Sequence, residues 1–547
     1  MLQFIKHQSA YSFDKIFLLL ISISILLPGF GAIDNNAIKW LSLSVLSIFY
    51  FIYKLFVEKK ELKIHFQKTG FILIAIVYFT LTALNSDNIN EGFVTLYKLV
   101  IICSVLFSCF FAFKKIDNAL IFLCKLFALS LLIECGYTIF DFFNSDNSFT
   151  GISNNRNISS SSIVFKLIFL IYLISNSSKG IFKLQLKILE ILTIVSVIIL
   201  QSRLGLYSVF FIYTFYFFLN KKRKKEFFIS ILISVLILVF FNQSSFQNKI
   251  DKSFGVENLL EDDSSVQRLS FYEASISLFK QKPFFGHGLG SWKYKSLQYN
   301  SQNNKNILLP YYTHNDFLQI LMETGIIGLF IYLLFFYSIT FRLLTSLKNN
   351  KNYNFLLIML VVVIFNSLVN FPIHRSQEYI PFIMCCSFIY TTGKERKQIN
   401  RISSILFLAL LIPSSLIGFF EHKSLIIQDK LLNDYKNNRF TISIQEIEKI
   451  NFKWPNLSSN VVPVSTYISR YYFNDKNYIK SLSLLNYSIG INKNDLMTNE
   501  LLLRNYIFTN NKDKAYELVK NLLTRYPNNK NYKEIFQAIS RDLNIKD

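Results

Sequence analysis

No part of this 547-residue chain carries a glycine-rich loop leading into Gly-Lys-Ser/Thr, a His-Glu-x-x-His pair or Cys/His clusters at metal-ligand spacing. Those signatures supply backbone donors for nucleotide phosphates and lone pairs for zinc, so the chain lacks the usual means for either chemistry. Cysteine is scarce. All six (Cys103, Cys109, Cys124, Cys135, Cys385 and Cys386) fall within apolar runs, which leaves no disulfide framework outside them. Acidic charge is also short, with 35 Asp and Glu against 58 Lys and Arg and a net charge of +23. A basic excess can mark a nucleic-acid partner, but these bases gather in short segments between apolar runs, where they encode membrane topology instead. No nucleic-acid partner is expected.

What the chain has in abundance is apolar surface: 52% of residues are hydrophobic and 16% aromatic. The composition predicts an all-α polytopic membrane protein with about 12–13 transmembrane helices. The spans fall near 16–33, 38–57, 70–84, 93–112, 119–140, 158–175, 186–200, 204–219, 227–242, 316–341, 354–371, 378–392 and 402–420. The first run is followed by "PGFGAIDNN" rather than a small-x-small cleavage site, so it reads as a retained span. With the N-terminus inside, the inner segments, among them "EKKELKIHFQK", "FKKIDN", "NKKRKKE" and "GKERKQINR", hold about 24 basic residues. The short outer loops hold Lys39, Arg156, Arg203 and Arg375. This bias places the long loop 243–313 and the tail from Glu421 outside, which in a bacterium is the periplasmic side of the inner membrane.

Residues 1–420 thus read as a membrane domain and 421–547 as a periplasmic helical domain. Within the tail, Tyr472, Ser481 and Leu484 are followed 34 residues later by Tyr506, Ala515 and Leu518, and Pro527 closes the second unit in "AYELVKNLLTRYPNN". The spacing resembles tetratricopeptide helical hairpins, whose stacked repeats present a groove for a partner. A plain helical tail packed on the membrane domain is the simpler alternative.

The candidate chemistry lies at the start of one span, in "YYTHNDFLQILMETGIIGLFIYLL". His314 precedes a helix start that Thr313 or Asn315 can cap, and a helix N-terminus disfavours imidazolium, so a neutral His314 can act as a base beside an anion. Asp316, Gln319 and Glu323 share one face of that helix, and acids within a span imply that this face meets protein or a wet cavity. Arg203 opens the eighth span and Arg268 lies in the long loop. Both reach the His314 side, where a planar guanidinium suits a diphosphate. Lys98, Lys166 and Glu134 lie near the same level and are candidates for the cavity wall, although lysine snorkelling accounts for each lysine alone.

These segments resemble the O-antigen ligase superfamily, which includes O-antigen polymerases and bacterial protein O-oligosaccharyltransferases. The resemblance rests on "THNDFLQILMETGIIG", on "RLSFYEASISLFKQKPFFGHGLGSW" in the preceding loop, on "QSRLG", and more loosely on "GISNNRNISSSS". It implies transfer of a glycan from an undecaprenyl-diphosphate carrier to a hydroxyl of lipid A core, of protein or of another carrier-linked glycan. It also implies that neither metal nor cofactor takes part. His314 would be the base, Arg203 and Arg268 would hold the diphosphate, and Asn315, Asp316, Glu323, Lys98 and Lys166 would support them. His287 replaces an apolar residue common in that family and reads as incidental. A lipid-glycan carrier without chemistry and a membrane-anchored scaffold remain the alternatives from other classes.

Overall fold

The computed structural model describes residues 2–56, 66–144, 149–178, 180–219, 232, 263–299, 311–348, 350–392 and 401–543. The helices are α1 (Leu2–Ser24), α2 (Asn36–Phe56), α3 (Phe66–Leu84), α4 (Ile89–Phe113), α5 (Ala119–Asn144), α6 (Arg156–Asn176), α7 (Ile181–Ile199), α8 (Arg203–Leu219) and α9 (Asp263–Gln281). They continue as α10 (Asp316–Leu347), α11 (Phe355–Val369), α12 (Ser376–Thr391), α13 (Arg401–Lys436), α14 (Val464–Asn474), α15 (Tyr478–Ile491), α16 (Leu496–Phe508), α17 (Lys512–Arg525) and α18 (Lys530–Asp542). No strand occurs among the described residues, and the isolated bridge there joins Leu457 to Pro463.

The protein is an all-α, multi-pass membrane protein. Six described helices are long and apolar enough to cross a bilayer: α2, α4, α5, α6, α10 and the Ser404–Lys436 part of α13. Large apolar side chains such as Phe49, Phe140, Phe210 and Phe330 face outward from their helices, as a hydrocarbon solvent permits and water does not. The expected first span is shifted: α1 ends at Ser24, because Pro28 restricts the residue before it and Phe30 and Gly31 take up positive φ. The expected span at 227–242 lies outside the described residues apart from Leu232.

The helix that carries the "METGIIG" motif is broken. Gly325 has φ 67° and ψ −173° inside α10. A break at membrane depth must hand its freed backbone groups to other partners. Here Met322 O accepts from His287 N (3.1 Å), Glu323 O from Gly288 N (2.8 Å) and Thr324 O from the Tyr78 hydroxyl (2.5 Å), while Ile326 N donates to Pro283 O (2.9 Å). The segment "PFFGHGLGSW" thereby threads into the break. The Glu323 carboxylate completes the join by accepting from Gly290 N (3.0 Å) and Trp292 N (3.2 Å).

Beyond the expected boundary, α13 runs through Glu421 to Lys436 as one helix. The helices after it pair with their sequence neighbours, α14 with α15 through α17 with α18. Their N-caps repeat: Asn477 and Asn511 cap α15 and α17, Asp495 and Asn529 cap α16 and α18, and each pair is spaced by 34 residues. This helical unit sits on the loop before α4. Asn456 and Asn88 exchange side-chain amide bonds (3.0 and 2.9 Å), Asn90 Nδ2 donates to Lys453 O (2.6 Å), and Trp454 lies against Phe93.

Gly325 cannot be replaced cheaply. A Cβ there would lie 2.2 Å from Phe284 O, and its φ belongs to the left-handed region. The Gly325→Ala protein is expected to lose about 2–3 kcal/mol of stability. Thermal unfolding in detergent checks this, and an unchanged midpoint would show that the break tolerates a side chain.

Candidate functional site

Tyr311–His314 form the last turn of chain before α10. Asn315 is the N-cap, extended in backbone, and its Oδ1 accepts from Leu318 N at 3.0 Å. Thr313 N donates to Gln319 Oε1 (3.2 Å). His314 adopts φ 57°, a conformation uncommon in residues other than glycine, and the Tyr272 hydroxyl of α9 holds it by donating to His314 O at 3.0 Å.

The imidazole lies between two phenyl rings, Phe271 of α9 nearly parallel at 6.4 Å between centroids and Phe371 edge-on at 4.9 Å. Its Nδ1 is buried without a hydrogen-bond partner. Burial, followed by the positive charges of Arg268 and Arg375, lowers the His314 pKa to about 4. At neutral pH the ring is therefore uncharged and can accept a proton.

Arg268 sits on α9, half-buried, with its charge acting on both His314 and Tyr272. Arg203 opens α8, which packs on α6, α7 and α11. The close approach to α6 needs Gly205, where a Cβ would lie 1.8 Å from Ser160 Oγ. The charges that act on His314 are those of Arg268 and Arg375, and Arg203 is not among them.

The acids of α10 hold structure. Asp316 is buried and its Oδ2 accepts from Ile373 N (3.3 Å), which fixes the loop carrying Phe371. Glu323 holds the threaded loop and also accepts from Gln319 Nε2 at 3.3 Å. His287 Nε2 bonds to Leu278 O at 2.9 Å, so this residue, read from sequence as incidental, ties that loop to α9 and hence to Arg268.

The two lysines have internal partners. Lys98 pairs with Glu421 of α13 at 3.0 Å, and the Tyr97 hydroxyl bonds to the same carboxylate. Lys98 also lines a cavity of about 130 Å³ together with Gln319, Glu323, His374 and apolar residues of α3, α4 and α10. Lys166 is fully buried against Glu134 (2.7 Å) and Ser162 (2.8 Å), and Gln377 donates to the same Glu134 (3.1 Å). It is a cross-brace between α5, α6 and α12.

Sequence reading missed Asp34, Tyr272, Phe371 and Arg375 as members of the site. Arg375 counted only as an outer-loop charge, and Asp34 lies 341 residues before the guanidinium it binds. Nothing in local spacing could join them.

The cross-brace reading has a direct consequence. Lys166→Met strands Glu134 in the interior and is expected to destabilise the protein by about 3–5 kcal/mol, whereas Glu134→Gln/Lys166→Met restores both stability and activity. A stable double variant without activity would place Lys166 in the chemistry.

Comparison with known proteins bears on the same elements. Residues 188–333 match the family described as O-antigen ligase, a stretch that includes Arg203, Arg268, His314 and Glu323 and leaves out Asp34, Lys98, Lys166 and Arg375. A proposed polysaccharide ligase of Rickettsia conorii is 34% identical over 98 residues, 17% of this chain and 22% of that protein. Its counterpart in Rickettsia felis is 33% identical over 96 residues, again 17% of this chain, and 23% of its own length. The chain thus matches less than a quarter of the length of these relatives. It is a multi-pass membrane protein whose 188–333 region matches the O-antigen ligase family, and this supports a ligase-like, glycan-transferring role.

Proposed function

We propose that the protein moves a glycan en bloc from an undecaprenyl-diphosphate carrier to an acceptor hydroxyl, at the periplasmic face of a bacterial inner membrane. The observation that carries this reading is His314 at a helix start, packed between Phe271 and Phe371, where burial and then the charges of Arg268 and Arg375 lower its pKa to about 4. His314 takes the proton as the acceptor oxygen attacks the anomeric carbon. The bond from that carbon to the diphosphate oxygen breaks, the electron pair leaves with the diphosphate, and the anomeric centre inverts. Arg268 and Arg203 neutralise the leaving group, the part a divalent ion would otherwise play. The basic inner segments support an orientation with the His314 face outside.

The variant His314→Ala is expected to lose about 10²–10⁴ in transfer rate while still inserting and folding. The assay is transfer from purified polyprenyl-diphosphate-linked glycan, and near-normal turnover would overturn the base assignment. With the wild-type protein, activity should be flat from pH 7 downward and fall only as the imidazole protonates near its pKa of about 4. Excess EDTA should leave it unchanged; loss restored by a divalent ion would point to metal-assisted transfer.

The helical unit after α13 docks at the start of α4, through Asn456 with Asn88 and Lys453 with Asn90. Its neighbour-paired helices and 34-residue capping repeat support a tetratricopeptide-like module that gathers the acceptor, and a periplasmic protein acceptor gains more from such a groove than a glycolipid diffusing in the bilayer. Cutting at Glu421 would sever the pair with Lys98, so the informative truncation follows Lys436. The shortened protein is expected to keep donor turnover and lose acceptor efficiency. Equal rates with lipid A core and protein acceptors before and after truncation would leave the tail without that role.

A further inference from the structure

The His314 platform is completed by two segments far outside the 188–333 stretch. Arg375 Nη1 donates to both carboxylate oxygens of Asp34, each at 3.0 Å, and its side chain is mostly buried. The guanidinium lies over Phe371 (5.5 Å) and Tyr312 (5.7 Å). Phe371 is the ring that meets His314 edge-on, and Tyr312 stacks on it at 4.4 Å. Asn36 clamps the same loop: its Oδ1 accepts from Ser376 N (3.1 Å) and Oγ (3.0 Å), and its Nδ2 donates to His374 O (2.8 Å). From the other side, Asp316 takes Ile373 N.

We propose that Arg375, anchored by Asp34, is a positioning residue for His314: it fixes Phe371 against the imidazole and holds a permanent positive charge facing it. This rests on the reading of His314 as the base. The groups facing that ring are Arg268 from α9 and Arg375 from the loop before α12; Tyr272 of α9 is engaged with the His314 carbonyl oxygen, and Asp316 on its own helix is turned to Ile373. Asp34 therefore tempers one of the two cations that add to burial in lowering the His314 pKa.

The two halves of the ion pair must then act with opposite sign. Removing the cation in Arg375→Gln lets His314 protonate more easily, whereas removing the counter-anion in Asp34→Asn does the reverse. A merely structural pair would give the same defect from either side.

The test measures the pH dependence of diethylpyrocarbonate modification at His314 by peptide mass spectrometry, on full-length protein in detergent, alongside the pH profile of transfer. This reagent reports the neutral imidazole without needing turnover. Arg375→Gln should move the midpoint and the acid limb upward by roughly one pH unit. Asp34→Asn should leave them in place or lower them, and Arg375→Lys should fall between wild type and Arg375→Gln. Coincident midpoints for Arg375→Gln and wild type, or upward shifts from both Arg375→Gln and Asp34→Asn, would overturn the proposal. Should Arg375→Gln fail to fold, Arg375→Lys decides in the same way, an unmoved midpoint counting against the proposal. An active His314→Ala would sink the base reading itself; an inactive His314→Ala with an unmoved Arg375→Gln profile would sink only this inference.

Discussion

A helix that passes into hydrocarbon cannot leave backbone carbonyls unpaired, and the break at Gly325 releases three of them within one turn of α10. The rest of the site follows from where they find donors. Two are met by the backbone of "GHGLG" and one by Tyr78, so the loop is drawn to a fixed depth beside the helix start. Glu323 then grips Gly290 and Trp292, and the loop's own His287 holds Leu278 of α9. That positions Phe271 and Tyr272 against His314, and Arg268 one turn further along the same helix. Had α10 been continuous, its own turns would have kept these backbone acceptors from the loop.

The same join reaches the tail. Lys293 pairs with Glu91, Tyr294 bonds to Ser86 and Asn88, and Asn88 exchanges amide bonds with Asn456. A single run of contacts therefore links the C-terminal helices, the loop before α4, the threaded segment and the start of α10. The buried pairs Lys98–Glu421 and Lys166–Glu134 brace the helices around that run, each charge matched because an isolated one would be costly in the interior.

Much of the site was written locally. The polar start of α10, the cap at Asn315 and the acids at 316 and 323 lie within a dozen residues, and helical periodicity places them on one side. The segment from 268 to 292 was legible as a partner through its motif, although not through any rule of spacing. The lysines' roles were not legible in the sequence, because a lysine near a span end looks the same whether it snorkels, lines a cavity or pairs internally. Only Glu421, 323 residues from Lys98, and Glu134, 32 residues from Lys166, decide among these.

By itself the sequence determined the all-α membrane architecture, because apolar runs of bilayer length admit little but helices. It also determined the capped, polar start of α10, whose hydrogen bonds lie within one turn. Tertiary structure alone decided that burial lowers the His314 pKa and its backbone takes a positive φ, that Phe371 and Phe271 enclose it, and that Asp34 meets Arg375 across 341 residues. Burial and charge at a side chain depend on what the rest of the chain brings within a few ångströms, and for His314 those neighbours come from α9 and from the loop before α12, which itself is clamped by the start of α2.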